Sequence, residues 1–252
     1  MDISELNNIT VDKTISLVHS NNPAIVQFIE QFRNFKQKIL TQYSVKVTKD
    51  KVLADRVMVA IDYSKDTPVL YTVTGLLALI KQYDFPEICT NLLKRKYSDS
   101  VLNTFNVGVG IEIDEDKVRY KVYIEDSSTK NIFAIKWDAE TYVITNYTLQ
   151  DKSLYEDTIF AAGYDIVPQV VTVNLAKLFH VYLTQDTISS NKTSFNLAFN
   201  DLYLKDITSD MLNLTSVNIL NEFSYLETYP IRVIAGGLDS NNEKYFTLYF
   251  TV

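Results

Sequence analysis

The sequence contains a single cysteine, Cys89, in 252 residues. A disulfide framework is therefore excluded. The helical run around that cysteine (Gln82–Lys94) predicts a small core side chain rather than a thiol nucleophile. Histidine is nearly as scarce: with only His19 and His180, a multi-histidine metal site cannot be built. No glycine loop of the P-loop or dinucleotide type is present, and no nucleophile elbow of the hydrolase type. No stretch of about 18 apolar residues exists, which predicts no membrane-spanning helix. The first residues, MDISELNNITVDKT, lack a basic region and an apolar region, so no secretion signal is expected and the chain reads as cytoplasmic. Without such a signal, the N-x-T sequons at Asn8, Asn146, Asn191 and Asn213 read as chance. Positive charge is also short. Lys and Arg number 24 against 31 Asp and Glu, a net charge of −7, which argues against nucleic-acid and anionic-membrane partners. A small cationic site remains compatible with that balance, because a phosphate group needs only a few placed cations.

What is present is enough apolar residue (46% of the chain) for a sizeable core, and no Pro/Ser/Gly-rich linker to divide it. A single domain over 1–252 is expected, with 1–40 as an N-terminal helical segment. In Pro23–Leu40, Ile25, Phe28, Ile29, Phe32 and Phe35 recur at helical spacing. Strand runs follow at Tyr43–Thr48 and Val52–Asp62, then helical stretches at Thr72–Tyr83 and Pro86–Tyr97. The runs Asn106–Ile113 and Val118–Glu125 form a hairpin pattern about the turn at 114–117, and Arg232–Leu238 with Lys244–Val252 form another. A less sharply patterned pair covers Phe133–Trp137 and Tyr142–Tyr147. Phe160–Asp165 and Leu178–Gln185 read as strands, and Ser194–Leu220 is ambiguous, with a candidate helix at Met211–Phe223. The recurring unit is strand, turn, strand, then helix, a weak internal repeat.

The strands are two-faced. Phe246, Leu248, Phe250 and Val252 oppose Tyr245, Thr247, Tyr249 and Thr251. Val118, Tyr120, Val122 and Ile124 oppose Arg119, Lys121, Tyr123 and Glu125. Val57, Val59 and Ile61 oppose Arg56, Met58, Ala60 and Asp62, with Asp55 an exception on the apolar side. Phe179, Val181 and Leu183 oppose His180, Tyr182 and Thr184. The apolar faces must be covered, and the intervening helices are available to cover them. The polar faces either meet bulk water, as on an open antiparallel sheet, or line the inside of a closed barrel. Two features favour the barrel. Tyrosine is abundant (17 residues) and recurs on the polar faces, and closure removes exposed edges. The predicted class is α+β, an antiparallel barrel of repeated hairpins surrounded by helices, its closure left open.

Such a lumen would set Arg56, Lys121 and Arg119 among Tyr123, Tyr182 and Tyr249. Cations hold phosphate or diphosphate, and tyrosine rings shield a carbocation, a combination suited to isoprenoid transfer. The Asp-rich motif of isoprenyl diphosphate synthases is absent. The acidic run Glu112–Asp116 reads as a solvated turn, and Val107-Gly108-Val109-Gly110 as strand residues that allow close packing or a bulge.

These motifs resemble the ABBA-type prenyltransferases, in particular those acting on cyanobactin peptides. The family's repeated hairpin (glycine, apolar, acidic, then lysine, any residue, aromatic) is similar to Gly110-Ile111-Glu112 leading to Lys121-Val122-Tyr123. Further copies are Gly163-Tyr164-Asp165 leading to His180-Val181-Tyr182, and Gly236-Gly237-Leu238 leading to Thr247-Leu248-Tyr249. Lys51-Val52-Leu53-Ala54-Asp55-Arg56 resembles the family's early hairpin, whose arginine contacts diphosphate. The resemblance covers residues 40–252. It implies a prenyltransferase barrel holding an isoprenoid diphosphate and Mg²⁺, with Arg56 and Lys121 on the diphosphate. Tyr123, Tyr182 and Tyr249 would form the shield, and His180 is a departure beside it. The implied activity is transfer of an alkyl group other than methyl to a side chain of a ribosomally made peptide. Two other departures stand out. The glutamate expected on the first strand falls near Thr41 and Gln42, neither of them acidic. The sequence also ends after the fourth clear hairpin, so the wall would need the 133–147 pair, a partner chain (a homo-oligomer) or a gap. Two alternatives stay open: a catalytically degenerate barrel acting as a binding or accessory protein, and an interaction module presenting its tyrosine face.

Overall fold

Ten antiparallel strands close on themselves in the order β1-β10-β9-β8-β7-β6-β5-β4-β3-β2. They are β1 (Ile39–Val47), β2 (Val52–Ile61), β3 (Phe105–Asp114), β4 (Lys117–Asp126), β5 (Ile132–Trp137), β6 (Tyr142–Gln150), β7 (Leu178–Ile188), β8 (Thr193–Leu202), β9 (Ile231–Leu238) and β10 (Lys244–Thr251). This computed structural model describes residues 2–18, 22–35, 37–48, 52–61, 73–97, 105–114, 117–126, 128–188, 192–207, 223–238 and 242–252. The helices are α1 (Ile3–Leu17), α2 (Pro23–Glu30), α3 (Val73–Ile80), α4 (Glu87–Lys96), α5 (Tyr155–Ala161) and α6 (Gln169–Val173).

Closure is made within one chain. The last strand pairs with the first from Gln42↔Thr251 to Val47↔Phe246, so no partner chain and no gap is needed to complete the wall. The fifth hairpin is the faint 133–147 pair. Its strands β5 and β6 are joined through Asp138, whose Oδ1 accepts the backbone N–H groups of Glu140 (2.9 Å) and Thr141 (2.8 Å). That side-chain turn supplies the reversal without a glycine. Part of the ambiguous 194–220 stretch is β8. The candidate helix at Met211–Phe223 lies outside the described residues, apart from Phe223, which is in a turn.

Two expectations are corrected. The strand expected at Phe160–Asp165 is the end of α5 and a turn. Ile159 and Ala162 are buried at helical spacing while Phe160 is exposed, and Gly163 stops the helix at φ 89°, its N–H donating to the Phe160 carbonyl. A side chain there would also collide with Leu238, 2.6 Å from the position of a Cβ. The Gly163-Tyr164-Asp165 copy of the hairpin motif is therefore not in a hairpin. The helix expected over Pro23–Leu40 stops at Glu30, and β1 starts at Ile39. Asn7 of α1 fixes this junction. Its side chain donates to the carbonyls of Phe35 (3.0 Å) and Gln37 (2.9 Å) and accepts from the Ile39 N–H (3.1 Å), satisfying backbone groups that would otherwise be buried unpaired.

Outward side chains form the core between barrel and helices: Tyr43, Val45, Val57, Val59, Ile135, Trp137, Phe246 and Leu248 are buried. Asp55 is an exception for a structural reason. It sits at φ 61° where the β1–β2 register shifts between Ser44 and Lys46. The bulge resets alternation and places Arg56 on the inner face, level with Ser44. Barrels of about eight strands fill with side chains, whereas a ten-stranded one leaves room inside.

Candidate functional site in the barrel lumen

Cross-strand partners share a face, so the registers define the lumen. Arg56 lies opposite Glu112, Gly110 opposite Lys121, Lys121 opposite Lys136, and Tyr147 opposite Thr184. The inner faces meet in two layers.

The deeper layer is ionic. Arg56 donates from Nε to Glu112 Oε2 at 2.8 Å and from Nη1 to Thr247 Oγ1 at 3.2 Å, and Lys121 Nζ donates to the same Glu112 oxygen. The three charged side chains are 13%, 10% and 9% exposed, so the cluster is largely out of water. Burial opposes ionisation of Glu112, but Arg56 and Lys121 outweigh it and hold its carboxyl well below the usual carboxylate range. Burial pushes the Lys121 ammonium down to about 7, with Arg56 and Lys136 adding to the effect and Glu112 opposing it. Gly110 leaves space for this layer: a Cβ there would lie 3.1 Å from the Val57 carbonyl and 3.8 Å from the Lys121 Cβ.

The second layer is aromatic. A cavity of about 570 Å³ is lined by Tyr123, Tyr147, Tyr182, Tyr249, Phe179 and His180, with Gln42, Met58, Ala60, Gly108 and Asn196 among the other lining residues. Tyr123 stands two residues beyond Lys121 on the same face of β4, and Tyr249 two beyond Thr247 on β10, so both adjoin the cavity they line and the ionic layer next to it. Tyr123 and Tyr147 meet edge to face at 6.1 Å. Burial raises both phenols well above their ordinary value, and Tyr182 is pushed up to about 12 by burial and by Glu125. These three phenols are therefore neutral at physiological pH.

The expected shield residues Tyr123, Tyr182 and Tyr249, with His180, converge on this cavity. Arg56 and Lys121 lie beneath it, adjoining the tyrosine floor. Arg119 is on the far side of the ionic layer, level with Glu112, where it donates to Asp138 at 3.3 Å and its side chain is 36% exposed. Thr41 faces outward and shares a 2.7 Å hydrogen bond with Thr14 of α1, whereas Gln42 lines the cavity. His19 lies outside the described residues.

Glu112 corrects the reading of 112–116 as a solvated turn. Strand β3 runs on to Asp114, so Glu112 is a buried strand residue. A signal for it was present, because Gly108, Gly110 and Glu112 alternate on one face of a strand next to the hairpin carrying Arg56. Lys136 and Tyr147 had no comparable signal, since they belong to the faint fifth hairpin. Among the described residues, no three His, Cys, Asp or Glu side chains converge. Glu112 is engaged by two cations, and Asp186 accepts from Thr145 at 2.7 Å. The described residues therefore show no protein cage for Mg²⁺. No helix among the described residues is long and apolar enough to cross a membrane. Comparison with protein-family models gives no match, and neither does comparison with curated proteins.

Proposed function

We propose that the lumen binds an allylic isoprenoid diphosphate and transfers its isoprenoid group to a side chain of a ribosomally made peptide, as the resemblance to ABBA-type prenyltransferases implies. The observation that carries this reading is one lumen combining a buried cation pair, Arg56 and Lys121, with an adjoining tyrosine-walled cavity. Five consecutive hairpins, with α-helices in two of the connections between them, support the family likeness. The cavity volume falls in the range of about 300–1,000 Å³ typical of small-molecule sites.

In this reading the diphosphate head reaches the cations between the tyrosines, and the isoprenoid chain lies in the cavity. The carbon–oxygen bond breaks, and the diphosphate leaves with the electron pair, its growing charge met by Arg56 and Lys121. The allylic cation is held against neutral tyrosine faces that attract it and exclude water. An electron-rich atom of the acceptor side chain then forms the new bond and passes its proton to the departed diphosphate. The described residues offer Mg²⁺ no seat of their own, so any Mg²⁺ would be held by the diphosphate oxygens and would offset their charge.

One observation favours a second reading, a barrel that binds a ligand without turnover: neither residue at Thr41–Gln42 is acidic. Incubation with dimethylallyl or geranyl diphosphate, Mg²⁺ and a panel of short peptides separates the two. A mass increase of one isoprenoid unit, abolished by Arg56→Ala and by Lys121→Ala, is expected. Binding of the diphosphates with no adduct on any peptide would favour the accessory role.

A further inference from the structure

The cations that would receive a diphosphate already hold a carboxylate. Glu112 Oε2 takes two N–H groups of one guanidinium and the ammonium of Lys121, an arrangement that an incoming phosphate oxygen would reproduce. The geometry points to Glu112 as an internal occupant of the anion seat, so that a ligand enters by exchange with it and only a multiply charged oxyanion competes. This inference rests on the anion-binding reading of the lumen proposed above.

Three features support the exchange. First, the seat is nearly dry, so binding a second anion beside Glu112 would place two unshielded negative charges around one cation pair. Displacing Glu112 avoids that repulsion. Second, the displaced carboxylate has an alternative partner. Arg119 lies directly opposite Glu112 in the β3–β4 register, on the side of the ionic layer away from the tyrosine floor. Its side chain is 36% exposed and donates to Asp138 at 3.3 Å, and a guanidinium carries five N–H donors, enough to take a second carboxylate. A rotation of the Glu112 side chain toward Arg119 would clear the seat without moving the backbone. Third, the stakes depend on ligand charge. Glu112 carries one negative charge, so a ligand of similar charge gains little by replacing it. A diphosphate carries more charge and more acceptor oxygens, and so gains from both cations. Glu112 would then set specificity by rejecting carboxylates and weakly charged phosphates, with Arg119 as the positioning residue for its displaced state.

Calorimetric titration of the whole chain with inorganic pyrophosphate and with inorganic phosphate tests this. The wild type is expected to bind pyrophosphate at least tenfold more tightly than phosphate. Glu112→Gln is expected to bind both more tightly, with phosphate gaining more, so that the preference shrinks severalfold. Arg119→Gln leaves the seat intact and is expected to weaken pyrophosphate binding severalfold, which keeps the test decisive if Glu112→Gln folds poorly. Unchanged affinities and preference in both variants would overturn the exchange while leaving the anion seat in place. Failure of the wild type and of folded Glu112→Gln to bind either anion would overturn the anion seat itself.

Discussion

Replacing Arg56 with methionine is expected to cost about 3 kcal/mol of stability and to weaken pyrophosphate binding roughly 30- to 100-fold. The stability loss comes from breaking a buried ion pair by removing one partner, which typically costs about 3–5 kcal/mol. The low end applies because Lys121 remains on the Glu112 carboxylate. For a chain of this size it corresponds to a fall in Tm of roughly 6–12 °C. The binding loss follows from removing charge-assisted hydrogen bonds worth about 2–3 kcal/mol to an anion, at about 1.4 kcal/mol per tenfold. Methionine keeps much of the side-chain volume, so the lumen should not collapse. Adding Glu112→Gln to Arg56→Met removes a carboxylate left with one of its two cations and frees Lys121 for a ligand, so it should recover part of the stability and part of the binding, both short of the wild type. Thermal unfolding and calorimetry on the three chains check both halves. Equal stability of wild type and Arg56→Met would mean that the ionic layer is hydrated.

Anion affinity should also fall as pH rises through neutrality. Lys121 is held down to about 7 by burial, by Arg56 on β2 and by Lys136 on β5, against the opposing Glu112 on β3. Its charge is therefore largely present at pH 6 and largely lost by pH 8.5. A ligand that needs the ammonium loses about tenfold or more in affinity over that interval. Lys121→Arg keeps its charge throughout, so the ratio of wild-type to variant affinity cancels the ligand's own titration. Linkage gives the same group an effect on folding. The folded ammonium lies below its unfolded value, so the unfolded chain binds the extra proton between about pH 7 and 10.5. Wild-type stability should therefore rise with pH across that window relative to Lys121→Met. A flat affinity ratio from pH 6 to 8.5 would place the Lys121 ammonium near its ordinary range.

The faces of the strands were readable from alternation wherever alternation was clean. Arg56, Lys121, Tyr123, Tyr182 and Tyr249 were placed on inner faces by that pattern, and all five are there. Closure was not readable, because β5 and β6 mix apolar and polar residues on both faces: Ala134 faces inward while Tyr142 packs outward. Those two strands complete the wall and also carry Lys136 and Tyr147 into the lumen, so the same ambiguity hid both. Glu112 was missed because proximity to the Asp-rich turn outweighed the glycine alternation leading up to it. The α5 segment reads as a strand in the sequence because a short helix and a short buried strand carry similar numbers of apolar residues. Gly163, which matches a strand motif in the sequence, is the residue that ends the helix.

On the proposed reading the ionic layer and the tyrosine cavity act as one site. The most direct measurement is calorimetric titration with a non-reactive thiolo analogue of dimethylallyl diphosphate, on the wild type, Arg56→Met and Tyr249→Ser. The expected result is a single binding event that both substitutions weaken, Arg56→Met acting on the analogue and on pyrophosphate alike, Tyr249→Ser on the analogue far more than on pyrophosphate. No binding, or binding that neither substitution changes, would contradict it.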